Sequence, residues 1–502
     1  MRRRGLLGAL AAPAFLRHAL AADLPRFGLG VASGQPQADS VVLWTRLIAA
    51  DMAPEVSVFW EVAEDESFTR IAARGQDTAN VADAHSVHAL AQGLRPDRWY
   101  WYRFSALGQR SMAGRTRTAP APGSRVSALH FAIASCQRYD VGHYAAWRHA
   151  AEEGLALVLF LGDYIYEYPS PPTALRPHVP TRTGGPVTLL ADYRQRYAQY
   201  KSDPALQAAH AAAPWLVIWD DHEVDNDYAG LQGQRLQPDF ASQRAAAYQA
   251  WWEHMPLPRS ARPVDGGMRV HGRLDWGDLA RIHLLDTRQQ RDPQACPRPG
   301  RGGSNTLRVA DCPTLADPRR SLLGAEQERW LADGWSLQQA WNLLAQQTLM
   351  SRVDWHDSSG SGMFWTDGWD GYPAARKRLL DTVSQRQVPG VVVLGGDVHA
   401  NYVADLKADP GDHKSATVAS EFCGTSISSL GLPQERLDAA RGLNPQLHHA
   451  RSDQRGYVRF ALRRDTLDAA LRVVADARDP ASGITTAARF VVDAKRPGPQ
   501  PG

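Results

Sequence analysis

An apolar run that stops abruptly on polar residues recurs along this chain. That recurrence restricts the fold more than any single motif does. Leu157–Leu161 ends at Gly162-Asp163, with Tyr166 just beyond. Leu129–Ala134 ends at Ser135-Cys136, and Trp215–Trp219 at Asp220-Asp221-His222-Glu223. Ala280–Leu285 ends at Asp286-Thr287-Arg288, and Val391–Leu394 at Gly395-Gly396-Asp397-Val398-His399. Runs this short and this uniformly apolar read as strands buried on both faces. Helix-like stretches lie between them, at Tyr144–Glu153, Phe240–His254 and Ala374–Gln387. The alternation predicts an α/β domain. Chemistry in open α/β sheets collects past the C-terminal ends of the strands, so the polar ends are expected to converge on one rim.

The residues ahead of this pattern read differently. From about Phe27 to about Pro120 the chain is expected to be all-β, a sandwich of short strands with turns between them. Val41–Leu47 is strand-like, Val56, Val58, Trp60 and Val62 alternate onto one face, and Trp99–Phe104 alternates aromatics. Ala119-Pro-Ala-Pro-Gly123 reads as the linker. Arg2, Arg3 and Arg4, the apolar stretch Gly5–Leu16 and Ala19-Leu20-Ala21 have the form of an export signal over residues 1–21. Its paired arginines and mild hydrophobicity are those of a twin-arginine signal, the alternative being an ordinary secretory one. The mature chain is therefore expected in the periplasm or outside the cell, with the twin-arginine export machinery as its first partner. No later run is long and apolar enough for a membrane helix. The net charge of +3 gives no reason to expect nucleic acid or an anionic membrane surface as a partner.

Export makes disulfides possible. Of the four cysteines, Cys296 and Cys312 bracket a Pro/Gly/Arg-rich loop with little else to order it, and they are expected to be bridged. The tail Lys495–Gly502 is rich in Pro and Gly and is expected to fray. The long loops Ser170–Val187 and Asp354–Tyr372 are expected to be functional covers or disordered segments. In the second, Trp365, Trp369 and Tyr372 either line a substrate mouth or anchor the loop.

Several of the strand ends carry groups able to hold metal. Asp163 and Tyr166 share a face if the chain turns helical after Gly162. Taken alone, a helix N-cap at Asp163 with Tyr166 packed explains that stretch better. Asp220–Asp227 packs carboxylates, an amide and His222 behind a strongly apolar run, a density that calls for a cation. Asp397 and His399 are two apart, so extended backbone would place both on one face; a helix N-cap accounts for the segment equally well. Cys136 reads as a thiolate ligand, a buried thiol or a partner of Cys423. Alone, the buried thiol is favoured. Arg138 is either a phosphate-binding group or a surface charge.

Together these segments resemble one family. FAIASCQ (Phe131–Gln137), LGDYIYEY (Leu161–Tyr168), WDDHEVDNDY (Trp219–Tyr228), LDTR (Leu285–Arg288), QQTLM (Gln346–Met350) and VLGGDVHAN (Val393–Asn401) occur in the order seen in PhoD-type alkaline phosphatases. These belong to the purple-acid-phosphatase-like metallophosphoesterases. The resemblance implies an α/β fold with a four-layer α/β/β/α catalytic core over residues 124–493, preceded by a fibronectin-III-like β-domain over 27–120. It implies Fe3+ and Ca2+ cofactors and hydrolysis of phosphomonoesters and phosphodiesters by a metal-activated water. Carried over residue by residue, Asp163 bridges two metals, and Tyr166, Cys136 and His399 bind iron. Asp221, Asp397 and Asn226 serve the calcium site. His222 faces the phosphoryl group, and Arg138 is a candidate for pairing with it. An Asp at 397, where other metallophosphoesterases have His, makes the second site richer in oxygen and favours Ca2+ over Zn2+. The alternatives are a phosphodiesterase of phospholipase D type on the same site, or a secreted binding protein without catalysis. One departure stands out: the segment 490–502 lacks the helical pattern with which some relatives cover the cleft, so a more open cleft is expected.

Overall fold

The computed structural model describes residues 26–355 and 362–502; the export-signal reading of residues 1–21 lies outside them. Every residue of the strand Leu157–Phe160 is buried. It pairs in parallel with Ala128–Ala134 on one side and Trp215–Val217 on the other. These three strands lie within a ten-stranded sheet. Beyond Ala128–Ala134 the sheet continues antiparallel through Arg455–Arg463, Thr466–Val474, Ile484–Asp493 and Arg496–Pro501. A second sheet, of seven strands, has Ala280–Leu284, Trp341–Ala345, Val391–Gly395 and Thr417–Cys423 running parallel at its heart. The apolar runs of the sequence are thus divided between two sheets rather than gathered in one.

Side chains alternate across a strand, and here both sets are buried. Phe131, Ile133, Leu157, Leu159, Leu216 and Ile218 face the second sheet and pack with Ile282, Leu343, Val392, Leu394 and Phe422. Ala132, Val158, Phe160, Trp215 and Val217 face the other way, against Trp147, Tyr193, Tyr197, Tyr248 and Trp251. Those aromatics sit on the helices Ala145–Ala150, Leu190–Lys201 and Phe240–His254. On the far face of the second sheet, Leu344, Val391 and Val393 pack with Leu331, Ala375, Leu380 and Val383, from the helices Ala325–Gly334 and Pro373–Gln385. Each such apolar side chain contributes about 1.5–3 kcal/mol on burial. A one-residue slip in register would exchange the two faces, and with them the partners of every strand end. No helix among the described residues is long and apolar enough to cross a membrane.

Residues 31–117 form strands, but not a free-standing unit. Val31–Gly34, Ser40–Arg46 and Ser86–Gln92 extend the ten-stranded sheet, through the pairing of Gly34 with Trp215. Their inner faces share a core with a five-stranded sheet containing Glu55–Ala63 and Trp99–Ala106: Val41, Leu43, Val87 and Ala89 meet Val58, Val62, Tyr102 and Phe104. Trp60 of the expected stripe is only partly buried.

His88 fastens this region to the helical layer. It stacks on Trp252 with ring centroids 4.2 Å apart, and its Nδ1 donates to the Leu257 carbonyl at 2.8 Å. Burial brings its pKa down to about 3, against a weaker upward pull from that carbonyl. His283 is likewise brought down to about 3, chiefly by burial and then by Arg273. A histidine held neutral in the folded state but protonated when unfolded stabilises the fold above pH ~6.5, and that stability is lost as pH falls toward 3. The histidines' share of the urea midpoint should therefore drop from pH 7.5 to pH 5, each such histidine contributing up to ~1.4 kcal/mol per pH unit. His88→Gln should shrink the drop. An equal drop in this variant would remove His88 from the account.

Cys296 and Cys312 are bridged, as the composition of their loop suggests. The expectation for the tail is overturned. Arg496–Pro501 is an edge strand paired with Ile484–Asp493, with Gly498 and Pro499 buried. The Gly498 N–H donates to Ser420 Oγ at 2.9 Å. Prolines are tolerated there because the outer side of an edge strand needs no donors. The last described residues are thus strand, with no helix among them.

Candidate metal centre

Strand ends from both sheets meet at one rim, and glycines let them close in. A Cβ on Gly162 would lie 2.4 Å from Asp220 Cβ, and one on Gly396 would lie 2.4 Å from Ser135 Oγ. The chain then turns sharply. Cys136, Asp163, Asp397 and His399 have φ of 58°, 59°, 65° and 53°, a left-handed backbone that non-glycine residues adopt at a cost. Directly after Asp163 and Asp397 the chain runs as loop and bend rather than helix. The alternative of helix N-caps at Asp163 and Asp397 is therefore not what forms.

The ligand atoms fall into overlapping groups, each within 4.8 Å: Cys136, Asp163 and His399; Asp163, Asp221 and His222; Asp220, Asp221 and Asp397; and Asp221, Asp227 and Asp367. Asp163 belongs to the first two and joins them. Tyr166 Oη donates to Asp163 Oδ2 at 2.9 Å, lies 3.1 Å from His399 Nε2, and accepts from Ser429 Oγ at 2.7 Å. His399 Nδ1 is turned to the Leu430 carbonyl, 2.7 Å away, which leaves Nε2 facing the group. Cys136 and Cys423 are both free thiols. Cys423 donates instead to the Gly396 carbonyl at 3.1 Å.

The electrostatics of these groups call for cations. Burial, with Asp163 and Asp397 adding to it, pushes the Cys136 thiol well up. Burial pushes Asp163 up too; His222 opposes this, while Asp221 and Glu223 add to it. Asp397 is pushed up to about 7, by burial first, with Arg288 opposing and Asp221 adding. Buried Asp163 Oδ1, Asp220 Oδ2 and Asp397 Oδ2 have no hydrogen-bond partner, and orphaned carboxylate oxygens of this kind are costly. A thiol, a phenol, an imidazole and several carboxylates, short of positive charge, fit metal ions: softer sulfur and nitrogen donors on one side, hard oxygens on the other.

Three supporting groups were not recognised as such in the sequence. Glu223 accepts from the backbone N–H of Asp163 (3.0 Å), Tyr164 (2.6 Å) and Asp220 (2.9 Å), tying two strand ends together. Glu167 accepts from His222 Nδ1 at 2.7 Å and from the Asn226 N–H at 2.9 Å. Burial would neutralise His222, but Glu167, Asp163 and Asp221 outweigh it and hold the imidazolium well above its usual range. Arg288, fully buried, donates through Nε to Asp220, lies 3.7 Å from Asp221 Oδ1, and reaches Asp367 Oδ2 at 2.8 Å. Asp220 was within the acidic segment, and Arg288 within a quoted motif. Asp367 gave no signal, because it lies in a long loop far along the chain.

The remaining candidates are peripheral. Arg138 binds Asp140 through Nε (2.7 Å) and Nη2 (3.2 Å), with its guanidinium 5.7 Å from the Tyr166 ring centroid. Asn226 is half-buried beside Glu167. Trp365 is half-buried at a cleft next to His399. Trp369 and Tyr372 are not at a mouth. Both are fully buried, with Trp369 Nε1 donating to Gln346 Oε1 and Tyr372 Oη to the Asp292 carbonyl. Their indole and phenol groups find those partners inside, so they anchor the loop.

The family model described as PhoD-like phosphatase matches residues 131–471, and the one described as PhoD-like phosphatase, N-terminal domain, matches residues 11–120. Alkaline phosphatase D of Bacillus subtilis (strain 168) is 43% identical over 486 residues, which cover 94% of this chain and 82% of that protein. The solved structure of PhoD superposes with a TM-score of 0.88 at 41% identity, covering 95% of this chain and 92% of its own. The first of these matches runs through every strand end that contributes to the centre, from Cys136 to His399, and on that ground the chain belongs to the PhoD-like phosphatase family.

Proposed function

We propose that this chain is an exported, metal-dependent alkaline phosphatase that hydrolyses phosphomonoesters and phosphodiesters with water as nucleophile. The observation that carries the reading is the shared position of Asp163, in one group with Cys136 and His399, beside Tyr166, and in a second with Asp221, which links it to Asp220 and Asp397. The first group would hold Fe3+ and the second Ca2+, with Asn226 completing the calcium side. When bound, such ions polarise phosphoryl oxygens and lower the pKa of water at the site. His222, whose Nδ1 is held by Glu167 at 2.7 Å, would donate its Nε2 proton to the departing alkoxide. Arg138 has an N–H edge left over from its pairing with Asp140, and this edge would orient the phosphate. No side-chain nucleophile is invoked. The four-layer α/β/β/α and fibronectin-III-like readings of the two regions are supported by the face-to-face sheets and by the shared core of residues 31–117. Export rests on the arginine-led segment of residues 1–21.

Elemental analysis of protein purified after export from its native host should find iron and calcium together. A strong calcium chelator should abolish hydrolysis of 4-nitrophenyl phosphate and bis(4-nitrophenyl) phosphate, and added calcium should restore it. Full activity in metal-stripped protein would sink the reading. Turnover of the diester alone would shift it to a phosphodiesterase.

A further inference from the structure

Asp397 and His399 of the candidate centre also line an open cleft of about 410 Å³, together with Trp355, Trp365, Leu430, Leu432 and Arg436. That volume is in the range of small-molecule sites. Most of the remaining lining is apolar, although the centre beside it is rich in carboxylates. Leu430 is 70% exposed and Leu432 41%, and open apolar surface of this kind beside a reactive centre marks a binding surface.

The apolar side is also built rather than loose. The Leu430 carbonyl is engaged by His399 Nδ1 at 2.7 Å, and the Leu432 carbonyl accepts from Ser452 Oγ at 2.6 Å. A Cβ on Gly431 would meet His399 O at 2.7 Å, so this lip lies directly on the backbone of the candidate ligand. Trp365 ends the strand Met363–Trp365, which pairs with Thr306–Arg308 inside the loop closed by Cys296 and Cys312. The Trp355 N–H donates to the Met363 carbonyl at 2.8 Å, and Arg436 lies 5.7 Å over the Trp355 ring. Two indoles and a guanidinium plane offer flat surfaces that suit a ring.

We infer that this cleft is the leaving-group subsite: it holds the alcohol portion of the phosphate ester and favours a flat, aromatic one. The inference rests on the phosphatase reading above and adds a substrate class to it. A molecule bound there has its ring between the tryptophans and the leucine lip, and its phosphate against the wall that carries Asp397 and His399. Trp355 and Trp365 are the specificity-determining residues.

The test compares 2-phenylethyl phosphate with ethyl phosphate. Both are esters of primary alcohols, so the leaving groups are chemically matched and only the ring differs. The metal-loaded full chain should show a kcat/KM ratio of about ten or more in favour of the phenylethyl ester, expressed mainly in KM. Trp365→Ala and Trp355→Ala should bring the ratio close to one. Leu432→Ser, at an exposed position, should lower it as well and guards against a tryptophan variant that fails to fold. Turnover of both esters at equal kcat/KM, or an unchanged ratio in the folded variants, overturns the subsite alone. Turnover of neither ester overturns the phosphatase reading, and this inference with it.

Discussion

Asp163→Asn is expected to lower kcat for phosphate ester hydrolysis about a thousandfold or more, while the metal-free protein keeps its urea midpoint or gains slightly. Asp163 is the group common to the sulfur-containing and the carboxylate-rich clusters, so its loss should weaken both metals at once. Metal-derived charge stabilisation of the transition state amounts to several kcal/mol, which is a factor of this size. The stability half of the expectation has a separate cause. Without metal, Asp163 is a buried carboxyl pushed up by burial and by Asp221 and Glu223, and an amide removes that repulsion without changing the shape. Cys136→Ala should show the same pairing of lost activity and retained fold, with iron lost first. Activity, metal content and denaturation measured on one preparation check all three points. An active Asp163→Asn protein with full metal content would remove Asp163 from the centre.

Arg288→Met should do the opposite, and unfold the protein easily. Its guanidinium is surrounded by Asp220, Asp221 and Asp367. Burial opposes its charge, yet these carboxylates outweigh burial and hold it above its ordinary range. Removing one partner from a buried ionic cluster leaves uncompensated charge and costs about 3–5 kcal/mol. The deficit should be largest in metal-stripped protein at pH 8 and smaller at pH 5. The sign follows from Asp220, whose carboxyl burial already pushes well up: without Arg288 its folded-state pKa lies still further above the unfolded one, so stability is lost as pH rises through it. Denaturant titration of parent and variant at both pH values is the measurement. A deficit under ~1 kcal/mol would mean the carboxylates are compensated from elsewhere.

Much of the centre was legible in the chain because strand burial leaves a strong trace. A run such as Trp215–Trp219 announces a buried strand, and Asp220–His222 mark its end at the rim. The ordered motifs then carried the family. What they mean one at a time was not legible. LGDYIY alone favoured an N-cap at Asp163, since nothing local shows that Cys136 and His399 arrive beside it. Arg288 and Asp367 came together only through a strand end and a loop that are distant in sequence. Whether Trp369 and Tyr372 line a mouth or anchor the loop stayed open, because an aromatic in a long loop has the same composition whether it faces water or the core. The tail looked frayed for the same kind of reason: its partners are the strand Ile484–Asp493 and the Ser420 hydroxyl, and no local pattern names them.

The sequence by itself determined where the buried strands lie, which residues stand at their ends, and to which family the chain belongs. These follow from side-chain hydrophobicity at a spacing of one or two residues, and from motifs that need no partner to be read. Only the tertiary structure decided that the runs divide into two facing sheets. It alone showed that the strands Val31–Gly34, Ser40–Arg46 and Ser86–Gln92 extend one of those sheets, and that left-handed turns at Cys136, Asp163, Asp397 and His399 accompany the clustering of their side chains. Those outcomes depend on pairing between segments hundreds of residues apart and on backbone angles that long-range packing imposes. Neither leaves a mark in the local order of amino acids.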